Sequence, residues 1–330
     1  MRILRFLFSG LVLSAMLLSC NSKSSEAKAE NKKVITVGYA QVGHESDWRI
    51  ANTKSFKDTF TKENGYNLLF VDADNSHEKQ VAAMRDFIAK KVDYIVLAPA
   101  VETGWDDILK EAKSAGIPVI LSDRQLKVAD ESLYLCWVGG NFLREGREAV
   151  KWLDRYLEKT GRSEDIINIV DLQGTLGSSA QKGRTKGIAE GIRNHETWRL
   201  VARESGNFNQ EEGRRTMEKI IGEVGADKID VLFAENDDMA WGAIDSLKAA
   251  GRNPGTDVIV ISFDAVGETF KRILKGEISC TCECNPLHGP RVDEIIKTLE
   301  RGEAVDRIQY VAEGVFDIQN AAAALPTRAY

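Results

Sequence analysis

The sequence predicts an α/β protein made of two doubly wound parallel-sheet lobes, and three observations carry that prediction. Short runs rich in Val, Ile and Leu recur along the 330 residues, each followed by a stretch with helical spacing. The runs are nearly continuous in apolar residues rather than alternating, which is the signature of strands covered by helices on both faces. About ten such units occur, more than one open sheet holds comfortably, so the chain divides between two sheets.

The elements follow in order. Val34–Gln41 (VITVGYAQ) reads as a buried strand, and Trp48–Asn64 has helical periodicity ending at the Asn64-Gly65 stop signal. Asn67–Ala73 is the next strand. Ser76–Lys91 is a helix with Val81, Met84, Phe87 and Ile88 on one stripe. Tyr94–Ala100 is a strand, Thr103 caps a helix that runs to Gly116, and Pro118–Asp123 and Leu133–Gly140 complete the first set. The rhythm then restarts. Strands are expected at Ile166–Gln173, Leu200–Ser205, Ile229–Asn236, Val258–Asp264 and Ile278–Asn285. Helices lie near Leu143–Lys159, Ser179–Asn194, Glu211–Val224, Met239–Ala250, Val266–Lys275 and Pro290–Arg301. A helix between each pair of buried strands means right-handed βαβ units.

The first residues are a separate object. Arg2 and Arg5 precede an apolar run, Phe6–Leu18, that is too short to span a bilayer. It stops at Leu17-Leu18-Ser19-Cys20. That pattern resembles a bacterial lipobox, in which cleavage precedes a lipid-modified cysteine. The reading is a signal peptide over 1–19, lipidation at Cys20, and a flexible polar tether over 20–33. The protein is therefore expected outside the cytoplasm, periplasmic or extracytoplasmic, and held to a membrane by its N-terminal lipid.

Composition excludes several classes. Lys and Arg number 44 against 50 acidic residues, a net charge of −6, so the basic stripe of a nucleic-acid binder is missing. Residues 177–185 (GSSAQKGRT) mimic a phosphate loop, but the glycine spacing is wrong and Arg184 stands where Lys is needed. No H-E-x-x-H, G-x-S-x-G or G-x-G-x-x-G follows a strand, so no cofactor and no hydrolytic centre are implied. Cys280, Cys282 and Cys284 alternate along one strand with no C-x-x-C pair and only His288 nearby, which favours buried packing over a metal. A disulfide from Cys136 suits an oxidising compartment, with its partner left open.

Ligands of open parallel sheets bind beyond the carboxyl ends of the strands. Here those ends run into Asp47-Trp48-Arg49, Asp123-Arg124, Gln173-Gly174-Thr175 with Arg184 on the helix after it, Asn207-Phe208, Asn236-Asp237-Asp238 and Asp264. Taken singly, each is an ordinary cap, salt-bridge partner or core aromatic. Together, drawn from both halves, they suit a neutral polyol. Carboxylates accept from hydroxyls, the guanidinium fork donates, and an aromatic covers the C–H face of a sugar ring.

These stretches, with Ala98-Pro99, Thr103-Gly104-Trp105, Leu172-Gln173-Gly174-Thr175 and Phe263-Asp264, give the chain its resemblance to a family. It resembles the type I periplasmic sugar-binding proteins of the ribose-binding and LacI-like superfamily, and most of all their galactofuranose-binding members. The resemblance implies two lobes joined by a three-stranded hinge. The N-terminal lobe would span 34–139 plus 285–313, and the C-terminal lobe 140–284 plus 314–330. It implies that Trp48, Arg49, Asp123 and Arg124 meet a monosaccharide from one lobe, and Arg184, Phe208, Asn236 and Asp264 from the other. Glu283 matches an acidic position of the galactofuranose type, Cys284 falls where the ribose binders have glutamine, and Asp47 replaces a glycine. Asp237 and Asp238 read as helix caps. The implied protein is a monomeric receptor that hands its sugar to ABC transporter permease subunits. The same closed form could instead report to a membrane kinase or chemoreceptor. A glycosidase using Asp123 and Asp264 is the enzymatic alternative, and a transcription regulator is disfavoured because a secretion leader replaces its headpiece.

Overall fold

Parallel strands need a crossover between neighbours, and in this computed structural model, which describes residues 34–330, nearly every crossover is a helix. The first lobe is laid down as β1 (Ile35–Gln41), α1 (Asp47–Thr59), β2 (Tyr66–Asp72), α2 (His77–Ala89), β3 (Tyr94–Leu97), α3 (Asp106–Ser114), β4 (Val119–Ser122) and β5 (Cys136–Gly139). The second continues as α4 (Phe142–Lys159), β6 (Ile167–Gln173), α5 (Ser179–Asn194), β7 (Trp198–Ser205), α6 (Gln210–Val224), β8 (Val231–Ala234), α7 (Asp237–Ala249), β9 (Ile259–Asp264), α8 (Gly267–Leu274) and β10 (Cys280–Glu283). The chain then returns through α9 (Gly289–Glu300) and β11 (Ile308–Tyr310) to the first sheet, and through β12 (Val315–Asp317) and α10 (Ala321–Ala324) to the second.

The two six-stranded sheets have orders β11-β5-β4-β3-β1-β2 and β12-β10-β9-β8-β6-β7. The pairs are parallel apart from β10 with β12. The chain thus passes between sheets three times: after β5, after β10, and between β11 and β12. The strands β3, β4, β5, β8 and β9 are buried throughout, as their apolar sequences require. Tyr39, Phe56, Val96, Ile120 and Ile296 fill one apolar cluster against the first sheet. Ile169, Ile188, Phe233, Ile261 and Phe263 fill another against the second.

Helices start where strands end, and their caps are therefore built from the same loops. Ser46, Ser76, Asn141, Ser178, Asn209 and Asn236 each accept a backbone N–H with the side chain. Two expected boundaries move. Helix α1 closes at Phe60, and Gly65, at φ +88°, serves instead the turn that enters β2. Thr103 does not cap α3; that helix begins after Trp105, which offers no side-chain cap. The leader over 1–19, the tether over 20–33 and Cys20 lie outside the described residues. Among the described residues no helix is long and apolar enough to cross a membrane.

Candidate functional site

The carboxyl edges of the two sheets face each other, and a narrow cavity lies between them. Eight residues singled out in the sequence line it: Trp48, Arg49, Asp123, Arg124, Arg184, Phe208, Asn236 and Asp264. Glu45, Ser46, Ala180 and Cys284 complete the lining. Glu283 is placed elsewhere. Its carboxylate accepts from Gly314 N (2.8 Å), Tyr330 Oη (2.6 Å) and Arg328 Nη1 (2.5 Å), which ties the C-terminal tail to a crossing strand. Alternation explains the exchange, since adjacent residues of a strand point to opposite sides. With Glu283 turned to the tail, Cys284 faces the cavity.

The first lobe presents a row of alternating charges. Arg49 donates through Nη2 to Asp123 (2.5 Å), through Nε to Glu45 (3.2 Å), and through Nη1 to Gln41 (3.3 Å). Arg124 donates through Nη2 to the same Glu45 oxygen (3.2 Å). The spacing of Glu45 and Arg49, four residues apart across the start of α1, puts both on the cavity side. Burial pushes the carboxyls of Glu45 and Asp123 up, but the guanidiniums beside them outweigh it and hold both below the ordinary range. Burial pulls Arg124 down, with Arg49 and Arg184 adding like charge. Its Nε and Nη1 have no hydrogen-bond partner, nor has Glu45 Oε2.

The second lobe answers with an arginine that has a partner at each of its three nitrogens. Arg184 donates through Nε to Glu145 (2.7 Å), through Nη2 to Asp264 (3.1 Å), and through Nη1 to the Glu235 carbonyl. Burial drives Asp264 well above the usual carboxylate range, only partly offset by Arg184. Phe208 is shared by the guanidiniums of Arg124 and Arg184, 5.7 and 6.0 Å from its ring centroid. Only a glycine at 174 permits this, because a Cβ there would fall 1.9 Å from the ring.

Backbone strain concentrates at these positions. Asp123, Phe208 and Asp264 have φ of +64°, +60° and +104°, and such conformations persist only where surrounding contacts over-determine them. Those contacts are visible. Trp137 Nε1 donates to the Asp123 carbonyl (2.8 Å), and Asn236 Nδ2 donates to the Phe208 carbonyl (3.0 Å). Asn236 is itself the cap of α7, its Oδ1 accepting from Met239 N (3.0 Å). Asp237 and Asp238, expected as the caps, are the first two residues of the helix. Asp237 is instead a buried strut accepting from Ser262, Thr281 and Val266 N, and Asp238 accepts from Asp47 N (3.1 Å) across the cleft.

The lobes also meet where Ser179 accepts from Gln125 N (2.8 Å) and where Glu102 takes Lys182 (2.5 Å) and Lys127 (3.0 Å). Trp48 Nε1 donates to the Cys284 carbonyl on a crossing strand (2.6 Å). The cavity is thus seen with its walls closed. All four described cysteines are unpaired and buried, with Cys136 in the first sheet and no disulfide to it.

A fold of two hinged sheets with a polar cavity between them is the architecture of a solute receptor. The sequence matches the periplasmic binding protein domain over residues 37–288, and the chain belongs to that family. It is 39% identical over 276 residues to the galactofuranose-binding protein YtfQ of Escherichia coli K12, covering 83% of this chain and 85% of that one. A Mycobacterium smegmatis crystal structure in complex with β-D-fucofuranose has 40% identity and a TM-score of 0.84, over 88% of this chain and 94% of that chain. The binding component of the arabinose ABC transporter from Shewanella sp. ANA-3, bound to α- and β-L-arabinofuranose, has 37% identity and a TM-score of 0.82, over 89% and 95%. These relatives are solute-binding proteins, not enzymes.

Proposed function

We propose that the protein captures a monosaccharide in its furanose form between the lobes and passes it to the permease of an ABC importer. Trp48, Arg49, Asp123 and Arg124 engage it from the N-terminal lobe (34–139 plus 285–313). Arg184, Phe208, Asn236 and Asp264 engage it from the C-terminal lobe (140–284 plus 314–330). Cys20 carries the lipid that holds the receptor at the membrane. The observation that supports the reading best is a set of buried, unpartnered polar atoms, two donors on Arg124 and an acceptor on Glu45, on residues that line one narrow cavity. A sugar hydroxyl both accepts and donates, so it satisfies that set, whereas a ligand without hydroxyls leaves each group unpaired at a cost of about 1–3 kcal/mol. The furanose preference rests on the three relatives, whose names or bound ligands are galactofuranose, fucofuranose and arabinofuranose.

The mechanism is a population shift. Ligand contacts both half-sites, the closed form gains their energy, and the permease distinguishes closed from open by shape. A thermal-shift and calorimetry panel of methyl furanosides against the matching pyranosides tests it. A furanoside present well above its dissociation constant raises stability by a few kcal/mol. A protein that responds to no saccharide, or to pyranosides alone, refutes the respective part. For the anchor, Cys20→Ser is expected to move the protein from the membrane to the soluble fraction.

A further inference from the structure

We propose that Glu145, Cys284 and Glu313 form a binding site for a borderline divalent cation of the zinc type at the point where the chain crosses between lobes. The three residues come from the start of α4, the residue after β10 and the approach to β12, one beside each crossing. One ligand atom from each lies within 4.8 Å of the other two.

The orientation of the carboxylates is the second observation. Glu145 is 3% exposed, and its Oε2 is taken by Arg184 Nε. The Oε2 of Glu313 accepts from Asn141 N (3.3 Å). Each outer oxygen is thus fixed by an N–H donor. The inner oxygens, Oε1 of both residues, are buried and have no hydrogen-bond partner. A Cβ on Gly140 would fall 2.1 Å from Glu313 Oε1, 2.5 Å from Glu145 Oε1 and 3.3 Å from Cys284 Sγ, so glycine there keeps the space between the donors open. Two facing acceptors with no donor need a positive charge between them. A shared proton supplies one for the oxygens but gives the thiol no part.

A metal ion uses all three groups. Zinc takes carboxylate oxygen and thiolate sulfur in four-coordinate sites, with water filling the position the protein leaves. Calcium and magnesium want six or more oxygens and reject sulfur. The supporting partners, Arg184 and Asn141, orient the ligands from behind, as outer-shell groups do. A groove with about 470 Å³ of empty space, lined by Arg144, Glu148, Cys282, Glu283 and the two ligating carboxylates, gives the ion its path. Binding expels the thiol proton and any proton the carboxyls share. The ion would join all three crossings and stiffen the hinge, with Cys284 as a ligand that also borders the sugar cavity.

Cobalt(II) chloride is the probe, added to the purified protein without chelator and without sugar. One equivalent is expected to give a thiolate-to-cobalt charge-transfer band in the near ultraviolet that zinc competes away. Cys284→Ser should abolish the band, while Cys136→Ser keeps it. Glu313→Gln should weaken cobalt binding by more than the about 10–100-fold that loss of an outer-shell partner costs. Independently of any cysteine variant, zinc should raise the melting temperature of the native protein, EDTA should reverse it, and Glu313→Gln should remove it. No band, a band that survives Cys284→Ser, or a zinc shift unchanged in Glu313→Gln overturns the site.

Discussion

Two arginines face each other across the cavity, and they are built for different tasks. Arg184, on the second lobe, has a partner at every nitrogen, Glu145, Asp264 and a carbonyl, and keeps only its second Nη hydrogens for a sugar. Arg124, on the first, keeps Nε and Nη1 unpartnered beside a single shared carboxylate. Both are buried to the same degree, at 2% and 1% exposure, so burial does not tell them apart. The count of satisfied donors does. A saturated buried ion holds structure together, whereas an unsaturated one is waiting for acceptors.

That contrast can be broken. The largest effect is expected from Arg184→Met, which leaves Glu145 and Asp264 buried without their counter-charge. Chemical denaturation should show a loss of about 3–5 kcal/mol. Arg124→Ala should leave the unfolding midpoint nearly unchanged while calorimetry shows sugar affinity falling by about 100-fold or more, the worth of two charge-assisted hydrogen bonds. If Arg124→Ala unfolds the protein, or Arg184→Met only weakens binding, the assignment of roles is reversed. Phe208→Leu keeps an apolar side chain but loses the aromatic face that both guanidiniums share, and should cost about tenfold in affinity.

Smaller effects sharpen the comparison at the rim. Burial, with Asp47 and Asp237 adding like charge, pushes Asp238 up to about 8, while an unburied Asp titrates near 4. A carboxyl raised in the closed form binds its proton more tightly there, so closure is favoured at low pH and weakens as pH rises from about 4 to about 8. Affinity should fall a few-fold between pH 7 and 8, and Asp238→Asn should flatten that dependence. Glu102→Gln, which removes an ion pair with the half-exposed Lys182, should speed sugar release only a few-fold by stopped flow, because such pairs are worth about 1 kcal/mol or less.

Much of this was legible before any coordinates. Long buried strands and their helices announce themselves by apolar runs and period, and polar residues after each strand mark the cavity side by topology alone. What escaped did so for physical reasons. β11 and β12 have three residues each, too few to show a period. Glu45 lies two residues before Asp47 in the loop after β1, but only geometry shows that one carboxylate oxygen serves two arginines. Glu145 and Glu313 lie 168 positions apart, on a helix and in a loop whose local patterns are unremarkable, and meet only because the chain crosses the gap three times. Glu283 and Cys284 differ by a single step along a strand, and that step inverts direction.

The sharing of Phe208 by two guanidiniums has a consequence for the protein without cargo. Bringing the halves together sets Arg124 and Arg184 towards one another, and the ring lowers their repulsion without cancelling it. An oxygen-rich guest eases that repulsion by giving Arg124 somewhere to point, so cargo and closure favour one another.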